Sequence, residues 1–176
     1  MAPENTMSNP EDAAETRVQL RLATADDLDT LVALVDPVQA LHAKAHPDRF
    51  VYPFDPARIR SFFADRVGQS NEYFLIAFRE EKPVGFLGVR SVSLSENAFR
   101  KAYGFLLIDQ ISVLPEAQGA GVGTVLMQYV KDLADSLDLH DIRLDSWSFN
   151  ESAHGFFRRA GFEPYRVSFW QRTPRD

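Results

Sequence analysis

The sequence predicts a mixed α/β domain folded around one central sheet. Three observations carry that expectation. Period-two and helix-spaced apolar runs follow each other in the order strand, two helices, three strands, helix, strand, helix, strand. A glycine-dense turn, Gln118 to Gly123, stands between a long apolar run and a helix-like run. Hydrophobic residues make up 45% of the 176 residues, Phe alone contributing 14, which is enough apolar mass for one buried core in a chain of single-domain length.

Each element has a local reason. Residues 1–16 are polar, carry Pro3 and Pro10, and read as a tail, so one ordered domain is expected over residues 17–176. Val18, Leu20 and Leu22 alternate with Gln19 and Arg21, as in a half-buried strand. Thr24-Ala25-Asp26-Asp27 resembles a capping box, and Leu28, Leu31, Val32, Leu34 and Val35 follow at helical spacing. Asp36-Pro37 is expected to end or interrupt that helix. Asp55-Pro56 opens a second helix with the stripe Ile59, Phe62, Phe63 and Val67, closed by Gly68.

Glu72 to Arg79 and Pro83 to Val92 read as a hairpin with Glu80-Glu81-Lys82 as its turn. Tyr103 to Val113 is a strand interrupted by Asp109 and Gln110 and closed by Pro115. Beyond the glycine turn, Val125, Leu126, Tyr129, Val130, Leu133 and Leu137 mark a helix. Asp141 to Phe149 reads as a strand, Asn150 or Ser152 to Ala160 as a short helix stopped by Gly161, and Phe162 to Arg172 as a last strand region.

Composition narrows the chemistry. The chain has no Cys, which excludes a disulfide framework, a thiolate nucleophile and a Cys-based zinc site. A net charge of -6 argues against nucleic acid as partner. No apolar run approaches the roughly 20 residues a membrane span needs, so no membrane partner is expected. The acidic start lacks the positive, apolar character of a secretory signal, and the cytoplasm is the expected compartment.

The stretch Ile111 to Gly123 carries most of the chemistry. A strand ends, glycines follow, and a long helix begins. Glycines let backbone amides approach a ligand, and a helix N-terminus favours anionic oxygens, which together make a pyrophosphate cradle. A Walker loop needs Gly-Lys before Ser or Thr, and no Lys is present here. Gly119, Gly121 and Gly123 are spaced as G-x-G-x-G, which does not fit the dinucleotide fingerprint.

This block resembles the acetyl-coenzyme A motif Q/R-x-x-G-x-G/A of the GCN5-related N-acetyltransferase (GNAT) superfamily, with Gln118, Gly121 and Gly123 in place. Asn150 to Phe162 resembles that family's N-x-x-A-x-x-F-Y-x-x-x-G-F, and Leu20 to Leu28 its opening. The resemblance implies a mixed sheet splayed between its fourth and fifth strands, flanked by about four helices. It implies acetyl-CoA as cosubstrate, with no metal. Ile111, Ser112 and Val113 would pair with the pantetheine arm. Backbone amides of Gln118, Gly119, Ala120, Gly121, Val122, Gly123 and Thr124 would hold the pyrophosphate. Asn150 would face the pantetheine, and Phe157 would lie near the thioester.

Acetyl transfer to an amine needs a route for the amine proton and a donor for the oxyanion. The resemblance points to the Val113 N–H as that donor. It points to Asp109 as a base acting through water, against the alternative of a polar residue at the wet edge or an anchor for a cationic acceptor. The family's general acid is the Tyr of F-Y; here it is Phe157, which has no proton to give. Tyr103, Tyr129, Tyr165 and Ser152 are the substitutes outside the motif.

His42 and His46 share a helix face, but a metal reading lacks a third ligand. They fall in the segment that lines the acceptor pocket in the family or else are exposed and cap the helix before Pro47, and Phe50 and Tyr52, with Phe54, either shape that pocket or pack into the core. The acceptor is expected to be a primary amine on a small molecule or peptide, and family members often form homodimers through C-terminal strands. A module that holds acyl-CoA without turnover, or a nucleotide-binding regulator using the same loop, are the competing readings.

Overall fold

Short polar side chains start the first two α-helices where the sequence predicts. In the computed structural model, which describes residues 18–173, Thr24 and Asp27 cap a 3-10 turn over Ala25–Asp27. The Thr24 N–H donates to the Asp27 carboxylate at 2.8 Å, completing the capping box. The turn leads into α1, Leu28–Ala45. Asp55 accepts from the Ala57 N–H at 2.9 Å and starts α2, Pro56–Ala64, with the proline in the first turn. The tail expected over residues 1–16 lies outside the described residues.

Helix α1 corrects one expectation: it runs straight through Pro37 to Ala45. A mid-helix proline costs about 3 kcal/mol. Leu28, Leu31, Leu34 and Val35 bury a stripe that packs with Phe63, Phe74, Ile76 and Phe86. At about 1.5–3 kcal/mol for each buried side chain, that stripe outweighs the proline.

The sheet has the order β1-β2-β3-β4-β5. Its strands are β1 (Gln19–Leu22), β2 (Glu72–Arg79), β3 (Lys82–Leu94), β4 (Tyr103–Val113) and β5 (Ile142–Leu144). The first four pair antiparallel in turn, and β4 pairs with β5 in parallel. A parallel pair needs a crossover, which α3, Val122–Ser136, supplies. Glu80 and Glu81, with φ of 49° and 61°, close the β2–β3 hairpin in two residues, so β3 begins at Lys82 rather than Pro83. Phe74, Ile76 and Phe86 pack with α1 and Phe63 of α2. Leu75, Leu87 and Val89 alternate to the other face of the pleat, and α3 packs against β3, β4 and β5.

Two features of β4 prepare a site. Its ladder to β3 reaches Val113, but its ladder to β5 stops at Ile108↔Leu144. Residues 109–113 therefore keep a strand on one side only, which is the expected splay between the fourth and fifth strands. The same opening shortens β5, expected over residues 141–149: past Leu144 it has no ladder on β4 to join. The second feature is a bulge. Gly88 pairs with Gln110 and Val89 with Ile108, which leaves Asp109 as the extra residue.

The chain divides into a unit ending at Asp145 and a second starting at Ser146. The second unit contains α4, Glu151–Arg159, whose N-cap Asn150 accepts from the Ala153 N–H at 3.2 Å. Gly161, at φ 96°, ends it, with the Phe162 N–H reaching back to the Phe157 carbonyl at 2.9 Å. The strand expected over residues 162–172 is absent. Pro164 removes a ladder donor, and Val167 and Phe169 stand exposed, so strand propensity goes unused where no ladder forms. No helix among the described residues is long and apolar enough to cross a membrane.

Candidate functional site

The turn after β4 is built from backbone. Pro115–Ala117 form a 3-10 turn, and Gly119 and Gly121 then take φ of 78° and 82°, the left-handed region that costs other residues about 1–2 kcal/mol. A methyl group added at either glycine would meet nothing within 4 Å. Space, then, does not demand these glycines; the backbone path does. Gly121 is the N-cap of α3 and supplies no side-chain hydrogen bond to the helix start. The first helical bond beyond the turn runs from the Val125 N–H to the Gly121 carbonyl. The amides of Val122, Gly123 and Thr124 are thus the unmet donors of the helix start, directed as an anion requires.

The open edge of β4 is set by ladder alternation. The Leu114 N–H donates to the Val84 carbonyl at 2.9 Å. In an antiparallel ladder the neighbouring pair is then not hydrogen-bonded, so the N–H of Val113, opposite Gly85, turns away from β3. Ile111, two residues earlier, turns the same way, while Ser112 faces β3 and is buried. The Val113 carbonyl is taken by the Gln118 side-chain amide at 3.1 Å, which fastens the turn to the strand end. Gln110 Oε1 is buried with no hydrogen-bond partner in the same stretch. Unmet amides, two left-handed glycines opening on free space and a half-paired strand fit a pyrophosphate with a peptide-like arm.

At the bulge stands a cluster of charges. Arg66, in the turn after α2, donates to Glu72 at 2.7 and 3.2 Å and to Asp109 Oδ2 at 2.6 Å. Its guanidinium carbon lies 4.8 Å from the Phe62 ring centre and 5.2 Å from that of Phe74. Burial works against its charge, but the hydrogen bonds to Glu72 and Asp109 outweigh burial and raise its pKa. Arg90 Nε lies 3.2 Å from the same Asp109 oxygen, yet it is buried without a hydrogen bond. Sequence reasoning reached Asp109 but missed Arg66, Glu72 and Arg90. They stand far apart in the chain, and lone charged residues carry no local signal. Gly88 does carry one: its missing side chain leaves room for the Phe74 ring, which a methyl would approach to 2.9 Å.

The expected acceptor-wall residues lie at the C-terminal end of α1 and in the segment after it. His42 lies in the last turn of α1, and its ring is 5.0 Å from that of Phe50. His46 is the C-cap, its N–H donating to the His42 carbonyl at 2.9 Å. Burial first, and then the charge of His46, lowers the His42 pKa. Tyr52 packs edge-on against Phe54 at 6.3 Å, before a cis Pro53. A depression of about 380 Å³ lies instead beside the N-terminal half of α1, lined by Asp29, Thr30, Ala33, Leu34, Pro83 and Leu114.

Tyr103 accepts from Arg143 at 3.4 Å, and burial followed by Tyr73 pushes the Tyr129 phenol up. In the second unit, Phe157 is buried and meets the rings of Phe156 and Phe162 at 5.4 and 6.0 Å. Among the described residues no group of three or more His, Asp or Glu side chains could hold a metal.

The family model described as Acetyltransferase (GNAT) family matches residues 36–162. A tetramutant of the BH1408 protein from Bacillus halodurans is 21% identical, with a TM-score of 0.81 over 88% of this chain and 99% of that one. A transcriptional regulator from Bacillus halodurans C-125 is 23% identical, with a TM-score of 0.70 over 89% and 100%. The aminoglycoside N-acetyltransferase AAC(6')-Iy, solved in complex with CoA, is 16% identical, with a TM-score of 0.68 over 89% and 95%. At these identities the likeness concerns the fold. No curated protein matches the sequence.

Proposed function

The chain belongs to the GNAT acetyltransferase family, and on that premise we propose that it moves an acetyl group from acetyl-CoA to a primary amine of a small molecule or peptide. The observation that carries this reading is the pair of left-handed glycines, 119 and 121, ahead of an uncapped helix start and beside a half-paired strand. The amides of Gly119 and of residues 121–124 hold the pyrophosphate, those of Gln118 and Ala120 being turned to the Pro115 and Ala117 carbonyls at 3.3 and 3.4 Å, and Ile111 offers its backbone groups to the pantetheine arm. Bound acetyl-CoA supplies a thioester carbonyl open to attack by a neutral amine.

The chain's own residues then have three tasks. The Val113 N–H donates to the carbonyl oxygen as negative charge develops there, already oriented by the ladder to β3. Asp109 receives the amine proton through water. Both described guanidinium contacts of this carboxylate fall on Oδ2, so Oδ1 is the oxygen assigned to that water. The sulfur leaves with the bonding pair as a thiolate, whose conjugate thiol has an ordinary pKa near ~8.5, and takes its proton from water rather than from a side-chain acid. Asn150 and Phe157 are assigned to the cofactor on their motif alone. His42, His46, Phe50 and Tyr52 contribute to the acceptor wall, and the cytoplasm is the proposed compartment.

The test is thiol release from acetyl-CoA with a panel of amines, alongside calorimetric titration of acetyl-CoA. Amine-dependent release with saturable acetyl-CoA binding is the expected result. Phe157 in place of the family's tyrosine favours one other reading, an acyl-CoA-binding module without turnover. Tight binding with no product from any amine would establish that reading instead.

A further inference from the structure

The cluster at the bulge sets two guanidiniums against two carboxylates, but its hydrogen bonds are shared unequally, and that inequality has a direction. Arg66 is firmly engaged: three hydrogen bonds from its Nε and Nη2 join it to Glu72 and Asp109, and two phenyl rings lie against it. Its charge is answered on the spot. Arg90 stands on β3 in the alternation series of Phe86 and Gly88, hence on the face of the sheet that carries Phe63 and Asp109's partner Arg66. It comes within 3.2 Å of Asp109 Oδ2, an oxygen Arg66 already holds at 2.6 Å. The Arg90 side chain makes no hydrogen bond to any described residue, its Nε is buried without one, and the side chain is 43% exposed. A half-engaged guanidinium at a site rim is an anion receptor, because its planar fork fits a carboxylate through two parallel hydrogen bonds.

We propose that Arg90 is a specificity-determining residue that binds a carboxylate on the acceptor, so that the substrate class is a zwitterionic amine, an amino acid or a small molecule ending in one. This rests on acetyl transfer at the Asp109 site. With the amine at Asp109 and the carboxylate at Arg90, one short molecule meets an acid and a base a few ångströms apart. The cluster answers both of its charges. Arg66 makes the arrangement workable: by holding Asp109 in place at the bulge, it leaves Arg90 as the one guanidinium of the pair without a hydrogen bond. A polycationic acceptor would meet that positive charge beside the carboxylate it seeks. The net charge of -6 favours approach of cations at long range, but the recognition proposed here is local.

The experiment compares matched acceptors on the full chain with acetyl-CoA: free amino acids, their carboxamides and a diamine of equal length. Wild type should favour the free acids over the amides by about 10- to 100-fold in kcat/KM, the range expected for a charge-assisted pair. In Arg90→Gln that ratio should collapse towards one, and Arg90→Lys should recover part of it, since charge remains while the fork is lost. Circular dichroism of each variant establishes that it is folded. Calorimetric binding of the same acids and amides, measured without turnover, keeps this inference separate from the transfer reading. Carboxylate-dependent binding that Arg90→Gln abolishes, with no product formed, would uphold the site and defeat acetyl transfer. Equal or better use of amides or diamines by wild type, a ratio unmoved in Arg90→Gln, or no acid binding at all would overturn the proposal.

Discussion

The turn at residues 118–124 and the cluster around Asp109 lie at opposite ends of the free half of β4, and they are made differently. The turn offers backbone: left-handed Gly119 and Gly121, helix-start amides and a glutamine that ties it to the strand end. The cluster offers side chains from the end of α2, from β2, from β3 and from the bulge in β4. A backbone site is written in consecutive residues and suits the constant part of a reaction, in the proposed transfer a shared carrier. A side-chain site is assembled from distant residues and can change one contact at a time, which suits the variable acceptor. Aspartate makes a second comparison available. Asp27 also meets an arginine, Arg21 at 2.7 and 2.8 Å, but it serves a helix cap and no opening.

The sharpest way to break the comparison is Asp109→Asn. We expect kcat/KM to fall by about 10²–10³, as for loss of a general base, with acetyl-CoA affinity within twofold of wild type by calorimetry. A matching loss of acetyl-CoA affinity would show that the two ends are one site. Next comes Asp27→Ala, expected to cost about 2–3 kcal/mol in urea unfolding through loss of the cap and the ion pair, with acetyl-CoA binding retained. The hydrogen bond from Arg21 holds the Asp27 carboxyl well below its usual range; burial opposes this, and Thr24 adds to it. The folded-state pKa is therefore depressed. The stabilisation is present in full above the unfolded value of about 3.9 and fades as pH falls through the folded one. Wild-type stability should begin to lose its advantage over the variant at about pH 4 and go on losing it as pH falls further, in a pH series of urea melts.

Gly121→Val tests the backbone end. Holding a β-branched residue in the left-handed region costs about 1–2 kcal/mol, so acetyl-CoA affinity should drop by about tenfold. Unchanged affinity would remove the turn from the site. The smallest effect belongs to Gly85→Ala, where the new methyl would approach the Ser112 carbonyl oxygen to 2.8 Å. The β3–β4 ladder must then give slightly, and a loss of about 1 kcal/mol in thermal or urea melts is expected. Since the ladder also orients the Val113 N–H, kcat should decline more than acetyl-CoA affinity does.

What could be read in advance followed the same division. The two helix caps at Thr24 and Asp55, the β2–β3 hairpin, the glycine turn and the Asn150 cap all involve residues within a few positions of each other. Each was legible because propensity and capping are local forces. Pro37 misled because the energy that carries α1 through it comes from Phe63, Phe74 and Phe86, which no local window around the proline contains. Strand lengths misled at β5 and after Phe162, because a strand exists only where a neighbour supplies its ladder.

Sequence alone determined the order of elements up to the helix Glu151–Arg159, the family resemblance and the glycine turn after β4, since consecutive residues dictate all three through backbone freedom and periodicity. Tertiary structure decided that Asp109 sits on a bulge, that Arg66 is spent on holding it, and that Arg90 is left without a hydrogen bond beside it. Charges interact through space at a few ångströms, and only the folded sheet brings residues 66, 72, 90 and 109 that close.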